Sequence, residues 1–189
     1  MSRAYRIKVS EQVTRVIKGS DHVKTVLEIL NVLSEEEMCH LLEQELESRG
    51  FEKRDEVWVR EENGIEIVVD PKDASVTVQV SGEEEVSVEG EQAGLSYDRD
   101  GAGARQTRQS LSEQLKKKLE KQVDEKEEKL QGELTSKLEE ALGELKEELD
   151  QIANAVTGTA LKRKASQMGQ IKEISEDPNS GSMTIVLEV

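Results

Sequence analysis

The stretch LEEALGELKEELDQIANAV, residues 138–156, decides how this chain is organised. Its apolar residues recur at alternating spacings of four and three, which is the heptad pattern of a coiled coil. The two rows of this pattern are Leu138, Leu145 and Ile152, and Leu142, Leu149 and Val156. Because such a stripe needs cover, we predict that these six residues form an oligomerisation or partner-binding seam.

The seam belongs to a longer proline-free region, residues 107–168, which we predict to be helical and similar to a coiled coil. Upstream of the seam an eleven-residue spacing links Val123, Leu134 and Leu145, a period that straightens a supercoil or reverses its hand. We favour one continuous helix; the alternative is a break near Gln131-Gly132 that folds the region into an αα-hairpin. Gly132 and Gly143 each cost about 1 kcal/mol in a helix interior, too little to break a helix that has a partner.

Residues 1–92 predict an acidic α+β domain built on an antiparallel sheet. Residues 4–30 are interpreted as three strands, the last of which, 23–30, is expected to lie in the sheet interior because both of its faces carry apolar residues. Residues 56–90 predict a meander of four strands. Its turns are Asn63-Gly64, a pair suited to a type I′ hairpin, then 70–73, and then Ser81-Gly82.

A single capped helix separates these two groups of strands. Ser34 and Glu37 have the spacing of a capping box, and Gly50 supplies the left-handed conformation that ends a helix near Arg49. Its predicted buried stripe is Met38, Leu41, Leu42 and Leu46. Phe51 is expected to fold back onto the last turn.

Beyond this domain we predict a glycine-bearing linker over 93–106, the helical region, and a C-terminal β-hairpin over 169–189. In the final strand Met183, Ile185, Leu187 and Val189 share one face. An isolated hairpin is marginal in water, so we expect this one to pair with the edge of an N-terminal sheet, in the same chain or in another.

Composition narrows the possible partners. The formal net charge is −15, of which −11 falls in residues 1–106. A surface of this sign repels phosphate backbones, so we expect no nucleic acid partner, and we interpret Lys162-Arg163-Lys164 as the basic end of a helix. The longest apolar runs are too short to span a bilayer, and the start of the chain shows no apolar signal segment. With a single cysteine, Cys39, the simplest expectation is a cytoplasmic protein without direct membrane insertion.

No residue pattern indicates catalysis. The chain contains neither a P-loop nor a Rossmann turn, and its acidic runs are better explained as a helix N-terminus and a solvated strand edge. Two histidines, His22 and His40, with Cys39 are too few for a structural zinc site. We therefore predict a protein that is not an enzyme and has no cofactor, metal site or catalytic residue.

The two ends of the chain resemble a bacterial family whose members are encoded near MoxR-like AAA+ ATPases and von Willebrand A proteins, in FtsH ternary systems. The resemblance lies in residues 3–10 (RAYRIKVS), residues 160–165 (ALKRKA), residues 171–177 (IKEISED) and residues 183–187 (MTIVL). It implies an accessory role beside an ATPase machine.

Two functions are consistent with these observations. The first is a scaffold or adaptor that self-associates, or binds a helical protein partner, through its long helix, as an accessory to an AAA+ ATPase or protease system. The alternative is a compact monomeric module that binds a ligand or peptide, with an αα-hairpin packed on the sheet.

Overall fold

The computed structural model describes residues 4–177 and 182–188. Its helices and strands are β1 (Tyr5–Val26), α1 (Glu35–Ser48), β2 (Glu52–Arg54), β3 (Val57–Glu62), β4 (Ile65–Asp70), β5 (Ser75–Ser96), α2 (Ala102–Met168), β6 (Gln170–Asp177) and β7 (Ser182–Glu188). One antiparallel sheet has the order β1-β5-β4-β3-β2, and β6 pairs with β7 in a second sheet. The predicted α+β class, with a capped helix, a long helix and a C-terminal hairpin, is confirmed.

The first strand is much longer than predicted. Residues 5–26 form one 22-residue strand rather than two strands and the start of a third, and this strand lies at the sheet edge, so the interior position predicted for 23–30 is wrong. β5 is equally long and runs through Ser81-Gly82, so the turn predicted there is also wrong, and the fourth meander strand is the continuation of β5. Pairing between β1 and β5 maintains both strands through glycines that, taken locally, indicate turns.

The chain divides into two compact units, and α2, β1 and β5 each contribute to both. We call Met1–Ser20 with Ser81–Thr135 the ribbon unit, and Asp21–Val80 with Ser136–Val189 the sheet unit. The ribbon unit contains long parts of β1 and β5 with the first half of α2. The sheet unit contains β2, β3, β4, α1, the second half of α2 and the C-terminal hairpin.

Local predictions in the sheet unit are confirmed. Ser34 and Glu37 form the capping box, and the four residues of the predicted α1 stripe are buried. Gly50 has φ +80°, and the Phe51 amide donates to the Leu46 carbonyl at 3.1 Å, so Phe51 does fold back onto the helix. Asn63 and Gly64 both have positive φ, as a type I′ turn requires, and join β3 to β4.

The core of the sheet unit lies on one face of β4 and β5. Ile65, Ile67 and Val69 alternate with half-buried residues and pair with Val80, Val78 and Val76. Residues directly opposite each other in an antiparallel pair lie on the same face, so these six side chains form one apolar layer.

The long helix is continuous over 67 residues, from Ala102 to Met168. The αα-hairpin alternative is therefore wrong, because Gly132 and Gly143 are accommodated within one helix. The helix also begins earlier than the predicted start at 107. Residues 93–96 complete β5 and 102–106 begin α2, so only 97–101 of the predicted linker lie between a strand and a helix.

The C-terminal strand pair forms as predicted, but within the described residues it does not join the five-stranded sheet. Met183, Ile185 and Leu187 are half-buried on one face, and the Met183 methyl reaches α2 at Gly158. The hairpin thus finds cover on the helix that precedes it. Val189 and the predicted turn at 178–181 lie outside the described residues.

Candidate functional site

The predicted seam is covered inside the sheet unit. Leu138, Leu145, Leu149, Ile152 and Val156 are all buried, and Leu142 is half-buried. The residues that the heptad pattern grouped therefore do lie together on one side of α2. Their role in oligomerisation or partner binding stays a prediction, and one chain already supplies cover for this side.

A charged pair holds this half of α2 against β3. Arg60 donates to Glu148 through both terminal nitrogens, at 2.7 and 2.6 Å, and its guanidinium lies 4.7 Å from the centre of the Phe51 ring. The two side chains are only 18% and 28% exposed. Their hydrogen bond lowers the pKa of the Glu148 carboxyl and raises the pKa of Arg60, so both remain charged.

Two weaker polar contacts lie further along the same helix. The Arg49 guanidinium donates to the Gln151 side-chain oxygen at 3.4 Å, and the Leu30 amide donates to the Thr157 hydroxyl at 3.3 Å. The second half of α2 therefore contacts β3, the end of α1 and the segment after β1. This arrangement serves to hold the helix on the sheet.

The ribbon unit has a different core. Ile17, Val86 and Val123 form its buried cluster, with Val13, Val88 and Leu130 packed around them. One face of the β1–β5 ribbon is thus covered by α2.

Glycines in the strands allow the helix to approach this closely. A Cβ added at Gly94 would lie 2.9 Å from a Leu111 methyl, one at Gly90 would lie 3.2 Å from Leu115, and one at Gly82 would lie 3.3 Å from Leu134. The twelve residues from Gly82 to Gly94 span about 40 Å of strand, and the 23 residues from Leu111 to Leu134 span about 35 Å of helix. The strand glycines and the helix leucines therefore lie opposite each other along the length of the ribbon unit.

Polar contacts tie the helix to β1 as well. Arg15 donates to Asp124 at 3.1 Å and to Glu127 at 2.5 Å, and the Ser112 hydroxyl donates to Glu11. Arg15 and its two partners are 42–60% exposed. These contacts contribute little free energy because water screens them.

The other face of the ribbon is open and carries charges sorted by strand. On β1 the basic residues Arg6, Lys8 and Lys18 are exposed, and on β5 the exposed residues include Glu85, Glu89 and Glu91. Lys18 and Glu83 form an ion pair across the ribbon at 3.0 Å. The face is therefore basic along one strand and acidic along the other.

One edge of β5 is also open. β4 pairs with β5 only as far as Val80, so beyond that residue β5 pairs only with β1 within the described residues. An unpaired strand edge presents a row of backbone donors and acceptors that another strand can use. The ribbon unit thus combines a covered face, an acidic open edge and a charged open face.

Comparison with protein-family models gives a match over residues 1–189 to the family described as FtsH ternary system domain X5. The chain belongs to this family. No curated protein and no solved structure matches this chain. The resemblance predicted from the ends of the chain is therefore confirmed over its whole length.

Membership in the X5 family makes this chain an accessory domain of a bacterial FtsH ternary system, with a protein partner of the protease kind. No helix in the described part of this X5 chain is both long and apolar enough to cross a membrane.

The residues that could suggest chemistry do not assemble. Within the described ranges, no three side chains of the His, Cys, Asp or Glu type form a group that could hold a metal ion. Burial raises the pKa of the Cys39 thiol, which keeps it protonated. Hydrogen bonds from Ser34 lower the pKa of Glu37, and the positive charges of Arg163 and Lys164 make smaller contributions in the same direction.

Sequence reasoning missed the ribbon of the X5 chain, because it interpreted Gly82 as a turn residue and Gly94 as part of a linker. A signal was present. Glycine inside a strand pattern marks close approach of another backbone or helix, and Gly82, Gly90 and Gly94 match leucines in a proline-free helix.

Proposed function

We propose that this X5 domain is a non-enzymatic adaptor that binds a protein partner within its FtsH ternary system, through the open side of the ribbon unit. The observation that carries the proposal is the contrast between the two sides of the ribbon. One face is closed by α2, whereas the other face remains exposed, with basic residues along β1 and acidic residues along β5, and the β5 edge is open. Membership in an accessory family of a protease system agrees with this role.

Several features support a binding role rather than a catalytic one. Two partly buried charged groups, Arg60 and Glu148, bind each other through both oxygens of the carboxylate, so this pair forms a structural contact. The Cys39 thiol has a raised pKa and is a poor nucleophile at neutral pH. The proposal keeps the cytoplasmic location expected from the sequence.

Self-association through the seam is the second candidate, and it keeps its original motivation in the heptad spacing of residues 138–156. Burial of five of the six seam residues within one chain weakens this motivation. If the seam joins copies, the sedimentation mass of the purified chain will exceed 21.1 kDa at micromolar concentration. A mass equal to that of the monomer would exclude self-association and leave the adaptor function as the remaining candidate.

The direct test is reconstitution with the FtsH-type protease of the same system. We expect the purified chain to comigrate with that protease in sedimentation velocity, and an unrelated protein of similar net charge to sediment separately. Complex formation should also change the ATPase rate of the protease. A chain that sediments alone at concentrations of tens of micromolar, in the presence of nucleotide, would contradict the proposal.

A further inference from the structure

We infer that the open edge of β5, residues 81–96, binds an extended segment of a partner protein in which Lys or Arg alternates with Val or Ile. The segment adds to the ribbon as a third strand. This inference rests on the proposed adaptor function and names the chemistry of its partner.

The first support is the length of edge that is free. The last residue of β5 that pairs with β4 is Val80, opposite Ile65, and β5 continues for sixteen residues to Ser96. Within the described residues this stretch pairs only with β1, on its other edge. Its outward N–H and C=O groups can therefore pair with an added strand of six or more residues.

The second support is the charge of this edge. Residues 81–96 contain five glutamates and no Lys or Arg. All five are exposed, and Glu83 alone has an ion pair among the described residues, with Lys18. A row of like charges on an edge strand discourages pairing with neutral or acidic strands, and it favours a strand that brings positive charge.

The third support is what β5 already binds. Its other edge pairs with β1, which places Arg6 and Lys8 next to Ile7 and Val9 in alternation. Residues 5–20 of β1 contain four basic side chains and one acidic side chain. A strand of this composition is thus compatible with β5 in both charge and β propensity.

A separate partner segment is favoured over the β1 strand of a second copy. A free segment can slide into whichever register its charges require. In a second copy, β1 has a free edge but α2 covers one of its faces, so a whole packed unit, and not a single strand, would have to fit beside β5.

The experiment uses the full chain and a labelled synthetic peptide, YRIKVSEQVTRVIK, which copies residues 5–18 and has the required chemistry. We expect saturable binding in fluorescence anisotropy, weakened by salt. The variant Glu85→Gln, Glu89→Gln, Glu91→Gln should bind the peptide about tenfold more weakly, since three cross-strand charge pairs are lost. On peptide binding, hydrogen exchange should slow within residues 81–96.

Two matched controls test whether binding depends on the basic residues of the peptide and on the position of the removed glutamates. A peptide with its four basic residues changed to Glu should not bind. The variant Glu139→Gln, Glu140→Gln, Glu147→Gln removes the same charge from exposed positions on α2 and should bind the original peptide as the wild type does. Circular dichroism melts of both triple variants check that each remains folded.

Several results would overturn the inference. One is failure of the peptide to bind, and another is equal weakening by the two triple variants, which indicates nonspecific attraction to an acidic protein. If the wild-type chain is a dimer that the peptide dissociates, a second copy is the occupant instead. If the Glu85, Glu89, Glu91 variant still binds the protease normally, the inference fails while the adaptor function stands.

Discussion

The strands of the ribbon unit and those of the sheet unit both pack against α2, but with different side chains. In the ribbon unit the strands offer glycines, and leucines of the helix fill the space above them. In the sheet unit the strands offer rows of Val and Ile, and Ile65 and Ile67 of β4 line one cavity with Ala141 and Leu145 of α2. The glycines thus allow the helix to lie close to the two-stranded ribbon, whereas the broader sheet packs through larger side chains.

The ion pairs between the strands and α2 also differ between the two units, in how far they are exposed to solvent. In each unit an arginine on a strand binds carboxylate on α2, but Arg15 is 45% exposed and Arg60 is 18% exposed. Water competes for the first contact far more than for the second. We therefore expect the sheet unit to provide most of the resistance to unfolding and the ribbon unit to be the weaker part.

Removing a buried side chain from each unit should give the largest effects. We expect Ile152→Ala to lower the free energy of unfolding of the sheet unit by about 3 kcal/mol, and Val123→Ala to lower that of the ribbon unit by about 2 kcal/mol. Both side chains are fully buried. Trp58 is the sole tryptophan, so its fluorescence follows the sheet unit, while circular dichroism follows the whole of α2.

In urea, Val123→Ala should shift the circular dichroism transition more than the Trp58 transition. If both variants shift both signals equally, the two units unfold as one and the contrast between them is wrong.

The two arginine contacts should give the next largest difference in unfolding free energy. Glu148→Gln removes the closer and more buried of the two carboxylates that pair with Arg60, and we expect a loss of about 2 kcal/mol at pH 7. Glu127→Gln, the same change at the closer of the two carboxylates that pair with Arg15, should cost much less, because water screens that exposed pair. Chemical denaturation of the two variants against wild type measures both values, and equal losses would contradict the role of burial.

The Glu148 contact also predicts a pH dependence. Because the folded state lowers the pKa of Glu148, its contribution to stability is complete above its unfolded pKa of about 4.3 and is lost as pH falls through the folded value. The difference in unfolding free energy between wild type and Glu148→Gln should be constant from pH 7 to about pH 5 and shrink below about pH 4. A difference that grew on acidification would contradict this assignment.

A valine at one strand glycine should show how closely the helix approaches the ribbon. Gly90→Val places new atoms against Leu115 and Leu119, and we expect a loss of about 1–3 kcal/mol of ribbon stability. Ala93→Val is the control, because Ala93 is exposed and valine favours strands. A melt by circular dichroism should separate the two, and a stable Gly90→Val variant would mean that the helix is not held against the ribbon.

The smallest effect is a gain. Gly132 lies in the ribbon unit and Gly143 in the sheet unit, and a Cβ at either position meets open space. Each change to alanine should stabilise α2 by up to about 1 kcal/mol. Measured by thermal unfolding, a larger rise from Gly132→Ala would identify the ribbon unit as the part that unfolds first, and a fall in either melting temperature would contradict the open surroundings of these glycines.

Features that depend on neighbouring residues could be predicted from the sequence. The capping box at Ser34 and Glu37, the Asn63-Gly64 turn and the buried stripe of α1 were predicted correctly, because each rests on contacts within a few positions. The long helix was predicted for the same reason, and family membership was indicated by the two ends of the chain.

The pairing of distant segments could not be predicted from local sequence patterns and became visible only in the fold. Gly19 and Gly82 lie inside 22-residue strands because β1 and β5 pair across more than 60 residues of sequence, a contact that no local pattern encodes. The heptad stripe likewise specifies that one side of α2 needs apolar cover, but not whether a second chain or its own sheet provides it. Local propensity defines the segments, and the apolar surface available after folding decides which segments cover one another.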